Sequence, residues 1–163
     1  MHLYFARKRC KQIASNNLRS VPIRLTLHTD YALRILLHAA AEPCVRLSIA
    51  DVAEKHGISR NHVMKVVNLL AAKGLLDTAR GRGGGFTLAR DAAAITVGEV
   101  VRLTEPGLQP ADCAGCVLRH GCGMIPVLDD AMRAFLDVLD SRTLADAVRE
   151  TTLPFKRIAL ATF

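Results

Sequence analysis

Three cysteines fall within ten residues, Cys113, Cys116 and Cys122, in the stretch Asp112-Cys113-Ala114-Gly115-Cys116-Val117-Leu118-Arg119-His120-Gly121-Cys122-Gly123. The spacing is C-x2-C-x5-C, and the interspersed glycines let a backbone fold tightly round a bound centre. Thiolates suit zinc, copper(I) and iron–sulfur clusters, and one short loop can bring three sulfurs onto one ion or cluster. No fourth ligand is fixed by the spacing. His120, Asp112, a residue elsewhere in the fold or one from a second subunit could supply it. Two further cysteines, Cys10 and Cys44, have no partner in the motif; Cys44 reads as an incidental loop thiol and Cys10 as part of the N-terminal tail.

A second group of residues could bind a polyanion. The net charge is +7, but it is unevenly spread. Residues 55–90 carry seven basic residues against the single acid Asp77, whereas residues 91–163 carry more acids than bases. Concentrated basic charge beside an acidic remainder is the electrostatic footprint of a nucleic-acid binder, although a basic face is also often simply solvated. Within that segment Ser59, Arg60, Asn61, His62, Lys65 and Asn68 lie along one helical pattern, and Arg80 and Arg82 sit in a glycine-rich turn. Asparagine can pair bidentately with adenine, and arginine or lysine with a guanine edge or a phosphate.

These residues need elements to hold them. Tyr31, Leu33, Leu36, Leu37 and Ala40 predict a first amphipathic helix, opened by Thr29 or Asp30 and stopped at Glu42-Pro43. Ser48-Ile49-Ala50-Asp51 is a capping-box sequence that opens a short second helix to about His56. After Gly57, Ser59 caps a third helix to about Lys73, with Val63, Val66, Val67 and Leu70 on its inner face and Asn61, Lys65 and Asn68 opposite. Helix, glycine turn and helix with a polar outer face is the pattern of a helix-turn-helix. Leu75-Leu76 and Phe86-Thr87-Leu88 then predict two short strands around the tip Arg80-Gly81-Arg82-Gly83-Gly84-Gly85, which reads as a wing reaching phosphate or a minor groove. The tip lacks the Gly-Lys-Ser/Thr ending of a nucleotide-binding loop.

Thr96-Val97-Gly98-Glu99 is another capping-box sequence and opens a further helix that ends at Pro106, where the cysteine loop begins. Beyond the loop, Ile125, Leu128, Met132, Phe135 and Leu139 recur at alternating steps of three and four. That heptad seam predicts a helix of about 15 residues, ~22 Å long, and a dimer contact; packing on its own domain is the other reading. Thr143 to Val148 predict a last short helix, and Phe155 to Phe163 a loosely held tail.

The fold class that follows is mainly α: a winged helix-turn-helix with a small two-stranded wing and a long C-terminal dimerisation helix. Three segments follow from it. Residues 1–23 form a basic tail, expected to be disordered, to reflect a start assigned too far upstream, or to serve as a DNA-tracking arm. Residues 24–95 form the DNA-binding domain. Residues 96–163 carry the cluster loop, 106–123, and the dimerisation helices. No apolar run approaches the ~18 residues that span a bilayer. No signal-peptide core follows the basic start, so a cytoplasmic, reducing location is expected, where clustered cysteines speak for metal rather than disulfides. No nucleophile with a base and an orienter is in evidence, and an enzyme is not expected.

From Arg24 to about Glu150 the chain resembles the winged-helix iron–sulfur regulators of the NsrR/IscR/RirA group, and most closely their nitric-oxide-sensing NsrR type. The matching stretches are Arg24-Leu25-Thr26 with Thr29 to Arg34, Ser59 to His62 with Lys65 and Asn68, the wing Arg80-Gly81 with Gly84-Gly85, Val97 to Val101, the three cysteines, Phe135-Leu136 with Leu139-Asp140, and Thr143 to Asp146. The resemblance implies a homodimeric repressor of double-stranded operator DNA. It also implies a [4Fe-4S] or [2Fe-2S] cluster on Cys113, Cys116 and Cys122, and nitric oxide as the signal that relieves repression. It further implies Asp30 of the partner subunit as fourth ligand; Asp30 as an ordinary helix-start acid is the alternative. The first cysteine pair is spaced more closely than in several relatives, and Ile125 stands where the IscR type has a histidine three residues beyond the last cysteine. An iron or cluster-status regulator of the same fold, or a zinc-stabilised module closed by His120, are the rival readings.

Overall fold

The computed structural model describes residues 24–81 and 83–152. The expectations for residues 1–23, Arg82 and the tail beyond Thr152 lie outside the described residues. Among those described, six α-helices and one two-stranded antiparallel sheet are present: α1 (Leu27–Ala41), α2 (Ile49–His56), α3 (Arg60–Ala72), β1 (Leu76–Ala79), β2 (Gly85–Leu88), α4 (Val97–Thr104), α5 (Met124–Asp140) and α6 (Leu144–Glu150). This is the expected mainly helical winged fold.

Short polar residues set most boundaries. Ser48, Ser59, Thr96 and Thr143 each accept a hydrogen bond from the backbone N–H three residues on, capping α2, α3, α4 and α6. Only Thr143 completes the reciprocal box, with Asp146 accepting from the Thr143 backbone at 2.8 Å. Glu99 instead pairs with Arg90 at 2.5 Å. Gly57 takes the left-handed conformation, φ 64°, and turns the chain between α2 and α3.

The start of α1 differs from the expectation. The cap is Thr26, which accepts from Thr29 N at 3.3 Å, so Thr29 and Asp30 lie inside the first turn. Thr29 is fully buried and cannot act as an exposed cap. The wing also has a strand partner that the sequence pattern did not show. Leu47 exchanges two backbone hydrogen bonds of 2.9 Å with Phe86 and forms a one-residue bridge on the outer edge of β2. The hairpin pairs Leu76 with Leu88 and Ala79 with Gly85.

A single hydrophobic core joins α1, α2, α3 and the hairpin, centred on Ile35, Leu36, Val63, Leu70, Leu75 and Phe86. Ile95, Val100 and Leu144 belong to the same core, and α1 packs on α4 and α6 as well as on α3. The DNA-binding half and the start of the following half therefore share one interior. By contrast, α5 contains no buried residue along its 17 positions and packs chiefly on α4.

Candidate metal centre and nucleic-acid interface

The outer face of α3 is built by burial of the inner one. Val63, Val66, Val67 and Leu70 are at most 2 % exposed, which leaves Arg60, Asn61, Met64, Lys65 and Asn68 facing out. Ser59 holds the first turn by accepting from His62 N at 3.3 Å. The His62 ring is also exposed, but it lies beside α1, tilted against Tyr31 with centroids 5.9 Å apart. Met64 was not among the residues expected at this face, because apolar residues on a helix are read first as core.

The wing tip is shaped by glycine. Gly84 N donates to Gly81 O at 2.9 Å, and a Cβ on Gly84 would lie 2.6 Å from Ala79 O. A Cβ on Gly85 would meet Leu47 O at 2.3 Å, so only glycine lets Leu47 bridge onto the hairpin. Arg80 is exposed at the tip. A hollow of about 490 Å³ separates α3 from the wing, lined by Ile49, Met64, Asn68, Thr78, Arg80 and Phe86 among others.

The cysteine loop is a run of tight turns. Asp112 Oδ1 accepts from Ala114 N at 3.0 Å, Cys116 N donates to Cys113 O at 3.3 Å, and Gly121 N donates to Leu118 O at 3.0 Å. Cys122 O accepts from Ile125 N at 3.3 Å, which joins the loop to the start of α5. Cys113 and Cys122 are half-buried and Cys116 is exposed; none is oxidised to a disulfide. A hollow of about 470 Å³ opens between the loop and α5, with Cys113, Asp112, Arg119, Ile125 and Leu128 on its walls. Of the three thiols only Cys113 lines this hollow, while Cys116 and Cys122 lie elsewhere on the same loop; in donor chemistry three thiols on one loop suit a thiolate-held metal or cluster. Within one chain, among the described residues, no three His, Cys, Asp or Glu side chains converge as a metal site. His120 is exposed, and no closed set of three cysteines with His120 is formed.

Asp30 lies in the first turn of α1, as the helix-start reading expects, and it also has a partner of its own. Its carboxylate pairs with Arg34 one turn on, at 2.7 Å, with both side chains substantially exposed. An exposed pair at this spacing contributes about 0.3–0.5 kcal/mol, so little holds the carboxylate back from a stronger ligand.

Three connections between these parts had no legible sequence signal. Glu105, the last residue before the cysteine loop, accepts from Thr26 N at 2.7 Å and from Thr26 Oγ1 at 3.2 Å. The loop therefore starts from a residue fixed to the cap of the helix that carries Asp30. At the far end of α5, Arg102 of α4 grips both oxygens of Asp140, at 2.6 and 2.5 Å, and holds its carboxyl below the usual range. Gly98 makes this approach possible, since a Cβ there would lie 1.9 Å from Asp140 Oδ1. The third connection joins α1 to α2. His38, 1 % exposed, meets His56 with Nδ1 to Nε2 at 3.1 Å, and Glu42 lies 3.5 Å from the other His38 nitrogen. Burial, then the neighbouring His38, pushes the His56 imidazolium down to about 4; burial and Lys55 push His38 down as well, against Glu42.

A capped recognition helix with an exposed row of donors, a glycine-shaped wing and a shared core define a helix-turn-helix transcriptional regulator. Residues 25–150 match the Rrf2 family model, described as iron-dependent transcriptional regulator, and the chain belongs to that family. It is 44 % identical over 133 residues to the HTH-type transcriptional regulator NsrR of Bacillus subtilis (strain 168), covering 78 % of this chain and 91 % of that protein. It is 40 % identical to the NsrR of Shouchella clausii (strain KSM-K16), over 77 % of this chain and 89 % of the relative. Among solved structures, the global cysteine regulator CymR of B. subtilis superposes with a TM-score of 0.68 at 24 % identity, over 80 % of this chain and 99 % of that one. IscR of T. potens superposes with 0.66 at 23 %, over 83 % and 96 %. Both share the fold. Membership places the chain among transcriptional regulators rather than enzymes. No helix among the described residues is long and apolar enough to cross a membrane.

Proposed function

We propose that this protein is a homodimeric repressor of double-stranded operator DNA whose binding is governed by an iron–sulfur cluster, with nitric oxide as the signal that relieves repression. The observation that carries the reading is the position of the three thiols. They lie on one loop whose start is fixed through Glu105 to the cap of α1 and whose end leads into α5, which is anchored at its far end to α4, and both anchors reach the core that carries the recognition helix. Cys113, Cys116 and Cys122 would hold the cluster, [4Fe-4S] or [2Fe-2S], and Asp30 of the partner subunit would complete it. When bound, the cluster would supply a thiolate-held iron with one weak oxygen ligand, open to a small diatomic. The chain does the rest. With its thiols held, loop 106–123 fixes the distance between Glu105 and Met124; with them released, that restraint is lost. Two recognition helices must span half-sites ~34 Å apart, so a small change in subunit placement weakens operator binding strongly.

Arg60, Asn61, Lys65 and Asn68, with Ser59 and His62 at the flank, read or grip the major groove, and Arg80 and Arg82 reach from the wing. The second copy covers α5. The seam Ile125, Leu128, Met132 and Leu139 is half-covered by its own chain, with Phe135 at its edge, while Met124, Val127 and Val138 beside it remain more than half exposed. An uncovered apolar stripe along a helix is what a pairing helix buries. A cytoplasmic location fits this role.

Replacement of Cys113, Cys116 or Cys122 by alanine tests the reading. Bound iron should disappear and operator affinity fall to that of random DNA. Tight, specific binding by an iron-free triple variant would remove the sensor and leave the helix-turn-helix standing. Stoichiometric zinc in place of iron would favour the structural module.

A further inference from the structure

Met64 stands at the centre of the recognition face and does not belong to its polar pattern. Arg60, Met64 and Asn68 follow one another at four-residue spacing and so form one row on α3, with Asn61 and Lys65 in the adjacent row. Every member of these two rows except Met64 is a hydrogen-bond donor. Met64 is 44 % exposed, whereas the apolar residues of the inner face are at most 2 % exposed, so it is not part of the core. Its side chain lines the hollow of about 490 Å³ between α3 and the wing, where Ile49, Val67 and Phe86 supply further apolar wall and Asn68, Thr78 and Arg80 are polar. A flexible, polarizable thioether placed there adapts its shape to a small apolar group.

On the base edges of the major groove the apolar feature is the C5-methyl of thymine. Resting on the DNA-binding reading of α3, we propose that Met64 is a specificity-determining residue that packs against the 5-methyl group of one thymine in each operator half-site. The polar residues of the same rows then have separate tasks. Arg60 and Lys65 bind phosphate or guanine, Asn61 and Asn68 pair with base edges, and Met64 discriminates thymine from cytosine by the methyl rather than by a hydrogen bond. The surroundings favour DNA over a protein partner, because one apolar side chain ringed by Arg60, Asn61, Lys65 and Asn68 offers a polyanion far more than it offers an apolar surface.

The test uses the full chain and the operator it selects from random duplexes. Each thymine of that operator is replaced singly by deoxyuridine, which removes only the methyl. At one equivalent position in each half-site, loss of the methyl should weaken binding about fourfold, the effect of about one buried methylene, ~0.8 kcal/mol. Met64→Ala should lose a similar factor on the thymine operator and nothing further on the deoxyuridine one, with affinity for random DNA unchanged. Thermal melting of this exposed-site variant should match the parent, so a folding defect does not mimic the result. Methyl sensitivity absent at every thymine, or undiminished in Met64→Ala, would overturn the inference while leaving operator recognition intact. A parent chain that selects no sequence over random duplex would instead overturn the DNA-binding reading, and this inference with it.

Discussion

The recognition helix and the cysteine loop stand at opposite ends of a scale of self-sufficiency. The helix α3 is capped by its own serine, closed by Lys73 and Gly74, and buries four apolar residues in a core shared with α1 and the wing. Nothing outside the chain is needed to present its outer face. The loop 106–123 and α5 bury nothing fully; Val117 is 97 % exposed and Val138 is 63 % exposed. Ordered structure without a core must obtain its stabilisation elsewhere. The first region is therefore a finished reading head, whereas in the proposed function the second is completed by a bound cluster and by a second subunit. On that reading, a signal acting at the second region changes operator binding without unfolding the first.

If α5 is completed by its copy, a charge on its exposed stripe should separate the two functions most strongly. Val138→Glu should leave the melting temperature of the core nearly unchanged, convert dimer to monomer in sedimentation, and lower operator affinity by on the order of 100-fold through lost avidity. A dimer that survives this change would place the interface elsewhere.

The joint between the regions is next. Gly98→Ala brings a Cβ against Asp140 and within 3.0 Å of its backbone nitrogen, forcing α4 and α5 apart. Denaturant unfolding should show a loss of about 1–3 kcal/mol, as overpacking at a close contact does. A loss near zero would mean that α5 is free to shift, and that the Arg102–Asp140 grip does not transmit its position.

Near neutral pH the smallest effect belongs to the reading head alone, because it emerges only on acidification. His56 is held at about 4, below the 6.5 of an unfolded histidine, and His38 is lowered too, so the folded state binds fewer protons than the unfolded state. Stability should be level above pH ~6.5 and should fall as pH drops from there toward 4, by up to ~1.4 kcal/mol per unit for His56 alone. Lys55 and Arg34 face the pair and act in the same direction, while Glu42 opposes it at His38. His56→Gln should flatten the fall over that window, as urea titrations at stepped pH would show. An unchanged slope would mean that the pair does not bind α2 to α1.

Where local chemistry decides the structure, the sequence was readable. Ser48, Gly57, Ser59 and Gly74 bound α2 and α3 because caps and left-handed turns need those residue types, and the short apolar stretches Leu75-Leu76 and Phe86-Thr87-Leu88 on either side of the glycine tip mark the hairpin. Features that depend on distant partners left no such trace. Thr26 caps α1 while Glu105, 79 positions away, holds that cap. Leu47 pairs with Phe86 through backbone groups that any residue carries, and Gly98 matters only because Asp140 comes against it. The three thiols were visible from spacing alone. A complete ligand set was not, since among the described residues of one chain no three metal-ligating side chains converge.

The most direct measurement follows operator affinity and visible absorption in the same anaerobically purified sample as nitric oxide is added. A brown protein is expected, with absorption near ~400 nm from thiolate-held iron. That absorption and the specific affinity should fall together over a few equivalents. A protein that bleaches while its operator affinity stays constant, or a colourless zinc-loaded one that binds the same operator unaffected by nitric oxide, would contradict the account.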